Sequence, residues 1–282
     1  MREGVGSRTA ERVAARRAVH QLLDAPLVFS DPLALRILEP EVAERIREDP
    51  KHLDTSPVAR YLRAFLVVRS RIAEDEVAAA VARGVSQCVI VGAGYDTFAY
   101  RNPFPGLRVF EVDHPSTQRG KRQRLDEGGI PVPSNLTFVA ADLSVTSLED
   151  ALATSTFDCN SPAVFSWLGV VPYLELPAIE ATLASVARLP AGTTIVFDYG
   201  VSGDALNIAE RFVVRRMAKR VAQAGEPWKT FFMPDEMNDL LRRAGFASHL
   251  DWGGEEINRR YFAGRDDGLR VGRGGRIVKA VV

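Results

Sequence analysis

Cysteine, histidine and excess charge of either sign are all scarce in this chain of 282 residues. Its two cysteines, Cys88 and Cys159, show no metal-ligand spacing and read as reduced thiols of a cytoplasmic protein. The four histidines form no cluster with cysteines or carboxylates, so no metal is expected. No serine sits in a nucleophile elbow. Lys+Arg and Asp+Glu both number 36, a formal net charge of zero. That balance removes the field of a general nucleic-acid binder and the basic cluster of a membrane-surface protein. No apolar run approaches the roughly 20 residues that cross a bilayer. The polar N-terminus lacks the apolar core of a signal peptide.

What is present is ordinary globular material, 46% hydrophobic and 26% charged, with no internal repeat and no low-complexity linker. A single domain is expected, with residues 1–85 helical and the character changing at Gln87. The first helix is expected over 9–23. Asp31-Pro32 and Ser56-Pro57 each read as an N-cap followed by proline at the first helical position. Short apolar runs predict strands at 87–91, 107–112, 136–140, 163–167, 194–198 and 277–282. Helical patterns intervene, notably 176–187 and 235–244, the latter stopped by Gly245. Strands alternating with helices predict βαβ units and a mostly parallel α/β sheet. Residues 204–224 read as a helical insertion after the fifth strand, with Arg211, Arg215 and Lys219 at i, i+4, i+8. That row is either a solvated face or part of a lid.

Chemistry concentrates at the ends of three strands. The segment Val89-Ile90-Val91-Gly92-Ala93-Gly94-Tyr95-Asp96-Thr97 is a strand ending in Gly-x-Gly, where the backbone can turn sharply and approach a ligand. Thr97 stands where a dinucleotide enzyme wants its third glycine, which argues against NAD or FAD. The next strand, Val109-Phe110-Glu111-Val112-Asp113, ends in carboxylates about 20 residues past the glycines, the spacing of a ribose acceptor. Asp113 is nearer the carboxyl end, where ligands of open α/β sheets bind, and is the choice for the ribose. Glu111 reads better as half of a structural salt bridge. A third strand ends in Asp142-Leu143, where the carboxylate can accept an adenine amine and Leu143 can offer an apolar surface. Together the three complete a nucleoside site.

These residues resemble a known family. Gly92 to Thr97, Phe110-Glu111-Val112-Asp113-His114-Pro115, Asp142-Leu143 and Trp167-Leu168-Gly169-Val170-Val171-Pro172-Tyr173-Leu174 look like the leucine carboxyl methyltransferase-like superfamily, in its bacterial, actinobacterial-type branch. Gly225-Glu226-Pro227-Trp228-Lys229-Thr230-Phe231-Phe232 and Arg260-Tyr261-Phe262 extend the likeness over nearly the whole chain. The resemblance implies a class I, Rossmann-like methyltransferase fold: a seven-stranded sheet, a helical N-terminal cap and a lid at about 201–233 within the core of 86–282. It implies S-adenosyl-L-methionine (SAM) as cofactor, S-adenosyl-L-homocysteine (SAH) as product, and O-methylation of a small-molecule acceptor. Gly92 and Gly94 would face the methionine, Asp113 the ribose, and Asp142 with Leu143 the adenine. An arginine upstream of the turn would pair with the SAM carboxylate, Arg69 by position, with Arg71 its close rival. Tyr173 and Arg215 are candidates for the acceptor pocket. Relatives often carry a glutamate where this chain has Leu168. A non-catalytic SAM binder and an NAD-dependent dehydrogenase are the alternative readings.

Overall fold

The computed structural model describes residues 8–282 apart from Ala224, Glu226 and the side chains of Arg8 and Arg220. Ala224, the end of the expected insertion helix, and Glu226 of the Gly225–Phe232 motif therefore lie outside the described residues.

Three helices lead the chain: α1 (Arg8–Leu23), α2 (Pro40–Glu48) and α3 (Pro57–Ala82). Then come β1 (Gln87–Val91), α4 (Phe98–Arg101), β2 (Arg108–Asp113), α5 (Pro115–Glu127), β3 (Leu136–Ala140), α6 (Leu148–Ala153), β4 (Val164–Trp167), α7 (Leu176–Ala187) and β5 (Thr194–Gly200). The chain closes with α8 (Ile208–Gln223), α9 (Pro234–Ala244), β6 (Ser248–Trp252), α10 (Gly254–Tyr261) and β7 (Gly275–Val281). The seven strands pair in the order β3-β2-β1-β4-β5-β7-β6, all parallel except β7. Strand order reverses between β1 and β4, and a crevice at such a reversal is where open α/β sheets hold ligands.

Alternation along the strands assigns the two faces. Val89, Val91, Phe110, Val112, Phe165, Trp167 and Phe197 point toward α6, α7 and α9, building the larger core. On the opposite face Val77 and Ala80 of α3 pack on Cys88, Ile90, Val109 and Val164. Val67, Val68 and Ile72 of α3 pack near Val196 and Ile277. This α3 face changes character toward the carboxyl ends, where Glu111, Ser166 and Asp198 are buried in place of apolar residues. Polar groups are thus gathered along one edge of one face.

Ser56 caps α3 as its sequence predicts, its Oγ accepting from the Ala59 amide at 3.2 Å. Gly245, at φ +103°, ends α9. One expectation needs correction, and one strand was missed. Asp31-Pro32 starts no helix: residues 32–37 form turns, because the Asp31 carboxylate, besides holding the Leu33 amide, is drawn into buried ion pairs. Helix α2 lies within the segment read as helical, whereas strand β6 escaped the sequence reading. Ser-His-Leu-Asp-Trp is a short edge strand whose exposed positions carry no apolar run. Among the described residues no helix is long and apolar enough to cross a membrane.

Candidate active site

The turn after β1 is held from three sides. The Gly92 and Ala93 amides donate to the Val112 carbonyl at 2.8 and 3.3 Å, tying the turn to β2. Gly92 and Gly94 have φ of +67° and +45°, the left-handed region that favours glycine. A Cβ on Gly92 would lie 2.4 Å from Val170 Cγ2, and one on Gly94 3.1 Å from Ala10 Cβ of α1. The loop after β4 and the first helix therefore both rest on bare backbone. Thr97, which takes the place of a third glycine, donates its hydroxyl to Asp31 at 2.7 Å.

Asp113, the last residue of β2, is anchored by two amides. Its Oδ2 accepts from Gly94 N at 2.5 Å and its Oδ1 from His114 N at 2.6 Å. Burial pushes its pKa up, against the pull of those amides. Asp142, just past β3, accepts from the Ser144 hydroxyl at 2.6 Å and amide at 2.9 Å, which hold its carboxyl below the usual range. His114 joins the two strand ends. Its Nδ1 accepts from the Ser116 amide and so caps α5, while Nε2 lies 3.7 Å from Asp142 Oδ2. Leu143 is half-buried against the larger core. The fold thus brings Gly92, Gly94, Asp113 and Asp142 to adjacent strand ends. Glu111 belongs to a different set, pairing with Lys121 at 2.7 Å and accepting from the Tyr100 hydroxyl at 3.0 Å.

The two candidate arginines part company. Arg71 is half-exposed and pairs with Asp75, four residues on along α3, at 2.8 Å. Arg69 is buried, and its Nη1 meets Asp198 Oδ2 at 3.0 Å. Asp198 also accepts from the Gly169 amide at 2.6 Å. Sequence reading missed Asp198, which looks like the tail of an apolar strand; its signal is an acid at a strand's carboxyl end, as in β2. Tyr173 closes the short 3-10 turn Val171–Tyr173 and is half-buried. Arg215 is exposed on α8. Arg211, on the same helix, lays its stem 3.6 Å from where a Gly203 Cβ would stand.

The N-terminal helices carry a buried polar network that sequence alone did not announce. Asp31, 1% exposed, meets Arg17 Nε at 3.2 Å, Thr97 Oγ1 at 2.7 Å and Arg101 Nε at 3.4 Å. Arg17 also donates to the Tyr95 carbonyl at 2.7 Å, within the glycine turn, and Arg101 pairs with Glu74 of α3. Burial pushes Glu74 up to about 7 despite that arginine. Alongside, His20 Nδ1 lies 2.6 Å from Asp24, which accepts two bonds from Arg63, and Arg63 continues to Asp54. His20 Nε2 accepts from the Val28 and Phe29 amides, so the proton sits on Nδ1.

The leucine carboxyl methyltransferase family matches residues 10–187, more than half the chain. The chain belongs to that family. A Bacillus subtilis (strain 168) protein provisionally named as a SAM-dependent methyltransferase, YktD, is 31% identical over 95% of both chains. A provisionally named SAM-dependent methyltransferase of Mycobacteroides abscessus is 34% identical over 68% of this chain and 65% of its own. A crystal structure from Thermobifida fusca YX, described as a provisional methyltransferase, superposes with TM-score 0.59 at 17% identity, covering 95% and 93% of the two chains. The family member in hand is a SAM-dependent methyltransferase with the class I fold expected of it, including the seven-stranded sheet. The dehydrogenase and non-catalytic readings fall with that membership. In a leucine carboxyl methyltransferase family member the strand-end groups fit SAM: two glycines leave the backbone bare, and Asp113 presents a fixed carboxylate beside them. Among the described residues, no group of three or more His, Cys, Asp or Glu could hold a metal ion.

Proposed function

We propose that this enzyme methylates an oxygen of a small molecule, with a carboxylate favoured over a hydroxyl as acceptor. Bound SAM supplies an electrophilic methyl on a sulfonium, and transfer is an in-line displacement. In this reading Asp113 accepts the ribose hydroxyls, Asp142 and Leu143 hold the adenine, Gly92 and Gly94 leave room for the methionine, and Arg69 receives its carboxylate. The N-terminal helices act as a cap and the α8 segment as a lid, with Tyr173 and Arg215 facing the acceptor. The protein's work is alignment and exclusion of water.

The observation that supports a carboxylate is where the histidines go. A hydroxyl acceptor usually needs a base, most often histidine, whereas a carboxylate is already ionised at neutral pH. His114 caps α5 and faces Asp142. His20 is locked between Asp24 and two backbone amides. His52 lies 2.5 Å from the Asp49 carbonyl and His249 3.0 Å from Asn238 Oδ1. All four are engaged elsewhere.

Two measurements test the proposal. Asp113→Ala should weaken SAH binding well over tenfold by calorimetry with the fold kept, since hydrogen bonds to a charged group contribute about 1.5–3 kcal/mol each. Unchanged affinity removes Asp113 from the site. With a carboxylate acceptor kcat should be flat between about pH 6 and 9, because the acceptor titrates well below that window. A kcat that rises near pH 7 and is lost in His114→Ala replaces the carboxylate with a hydroxyl and a histidine base.

A further inference from the structure

Asp198 occupies an unusual position for a carboxylate. It lies toward the carboxyl end of β5 on the α3 face and is 3% exposed. Oδ1 accepts from the Gly169 amide and Oδ2 from Arg69 Nη1. Each oxygen keeps a second lone pair. Gly169 has φ +70°, and a Cβ there would stand 2.7 Å from Arg69 Nη2 and 3.1 Å from its Cζ. The guanidinium therefore lies against bare backbone, and the missing side chain admits the ion pair to the loop. The next residue, Val170, packs on Gly92. The pair thus stands one residue from the contact that seats the cofactor turn.

Leu168, the residue before Gly169, packs into the apolar cluster under α3 that includes Phe65 and Trp252. The loop after β4 nonetheless has a carboxylate bonded to it, delivered from β5. A buried ion pair is weak evidence for stability, because desolvation offsets its attraction. Its separated charges are the complement of a zwitterion, and the methionine end of SAM carries one ammonium and one carboxylate on a single carbon.

We propose that Asp198 binds the α-ammonium of SAM while Arg69 binds its α-carboxylate. The assignment rests on the reading of Arg69 given above. It makes the ion pair a receptor for an amino-acid group, distinct from the nucleoside contacts of Asp113 and Asp142.

Three ligands test it by calorimetry on the full chain: SAH, an SAH analogue lacking the α-amino group, and 5′-methylthioadenosine, which lacks the amino-acid group altogether. Asp198→Asn keeps the shape and removes the charge. It should weaken SAH at least about tenfold, to the level of the desamino analogue. Affinity for the desamino analogue and for methylthioadenosine should stay within about twofold. An equal loss for all three ligands, or no loss for SAH, overturns the proposal. Arg69→Gln separates the two ideas. If it leaves the preference for SAH over methylthioadenosine intact, the reading of Arg69 is wrong and this one goes with it. If it abolishes that preference while Asp198→Asn still distinguishes SAH from the desamino analogue, only the role of Asp198 is overturned. Should Asp198→Asn fail to fold, the unaltered protein decides: equal affinity for SAH and its desamino analogue overturns the assignment.

Discussion

Two helical regions attach at the carboxyl edge of the sheet, and they attach in opposite ways. The N-terminal segment is knitted in. Ala14, Ala15, Ala18 and Val19 of α1 are buried with Tyr95 of the glycine turn, and the Asp31 network joins α1, the turn, α4 and α3. Helix α8 has no buried residue among those described. Ile208 and Phe212 are 89% and 64% exposed, and Val214 lies over Gly274, the residue before β7. In sequence both regions read as helices beside the pocket; packing distinguishes them. The first braces the glycine turn, whereas the second is lightly seated, with few buried contacts.

The most severe way to break this contrast is at Asp31. Asp31→Ala leaves Arg17 and Arg101 buried without that partner, and losing half of a buried ion pair typically costs about 3–5 kcal/mol. Denaturant unfolding should show that loss, and SAH affinity should fall with it because Thr97 loses its acceptor and Arg17, which holds the Tyr95 carbonyl, loses its anchor. A stable Asp31→Ala protein with normal SAH binding would mean that the N-terminal segment is packing only.

A subtler probe uses pH. Burial holds Glu74 up to about 7, above the ordinary 4.5. The folded state therefore prefers the protonated acid. Its contribution is fully present below pH 4.5, fades as pH rises and is lost as pH passes about 7. Between pH 5 and 8 the native protein should lose stability on the order of 2 kcal/mol relative to Glu74→Gln. Parallel stability curves for the two proteins would show that Glu74 is ionised throughout.

The smallest effect is expected on α8. Phe212→Ser removes an exposed ring and should shift stability by no more than about 0.5 kcal/mol. SAH affinity should be unchanged and only the KM for the acceptor should move. A large loss of SAH binding in Phe212→Ser would place α8 in the cofactor site and erase the distinction.

The contrast also explains what the sequence could and could not disclose. Strands 87–91 and 136–140 were legible to the residue because each is a short apolar run bounded by turn residues. That Asp113 on β2 and Asp142 after β3 would come together at adjacent strand ends was legible from their spacing after the glycine turn. The ionic network was not legible. Arg17, His20, Asp24, Asp31 and Arg63 look like surface residues of polar helices, and only tertiary pairing makes them interior. Asp31-Pro32 carries a helix-start signal that those pairs override. Asp198 was hidden in the same way, since nothing local says that a carboxylate on β5 will reach an arginine 129 residues earlier in the chain.

The contact between Gly92 and Val170 carries a consequence for how such chains can diverge. Gly92 is confined by its backbone angle and also by the Val170 methyl that fills the space where a side chain would begin. The two positions therefore form an epistatic pair. Drift at 170 toward a smaller residue opens a void under the turn without freeing position 92, and drift toward a larger one presses directly on the glycine. Mutations at 170 are then filtered by a residue 78 positions away, and evolutionary change in this family should reach the loop after β4 through its outward-facing residues before it touches Val170.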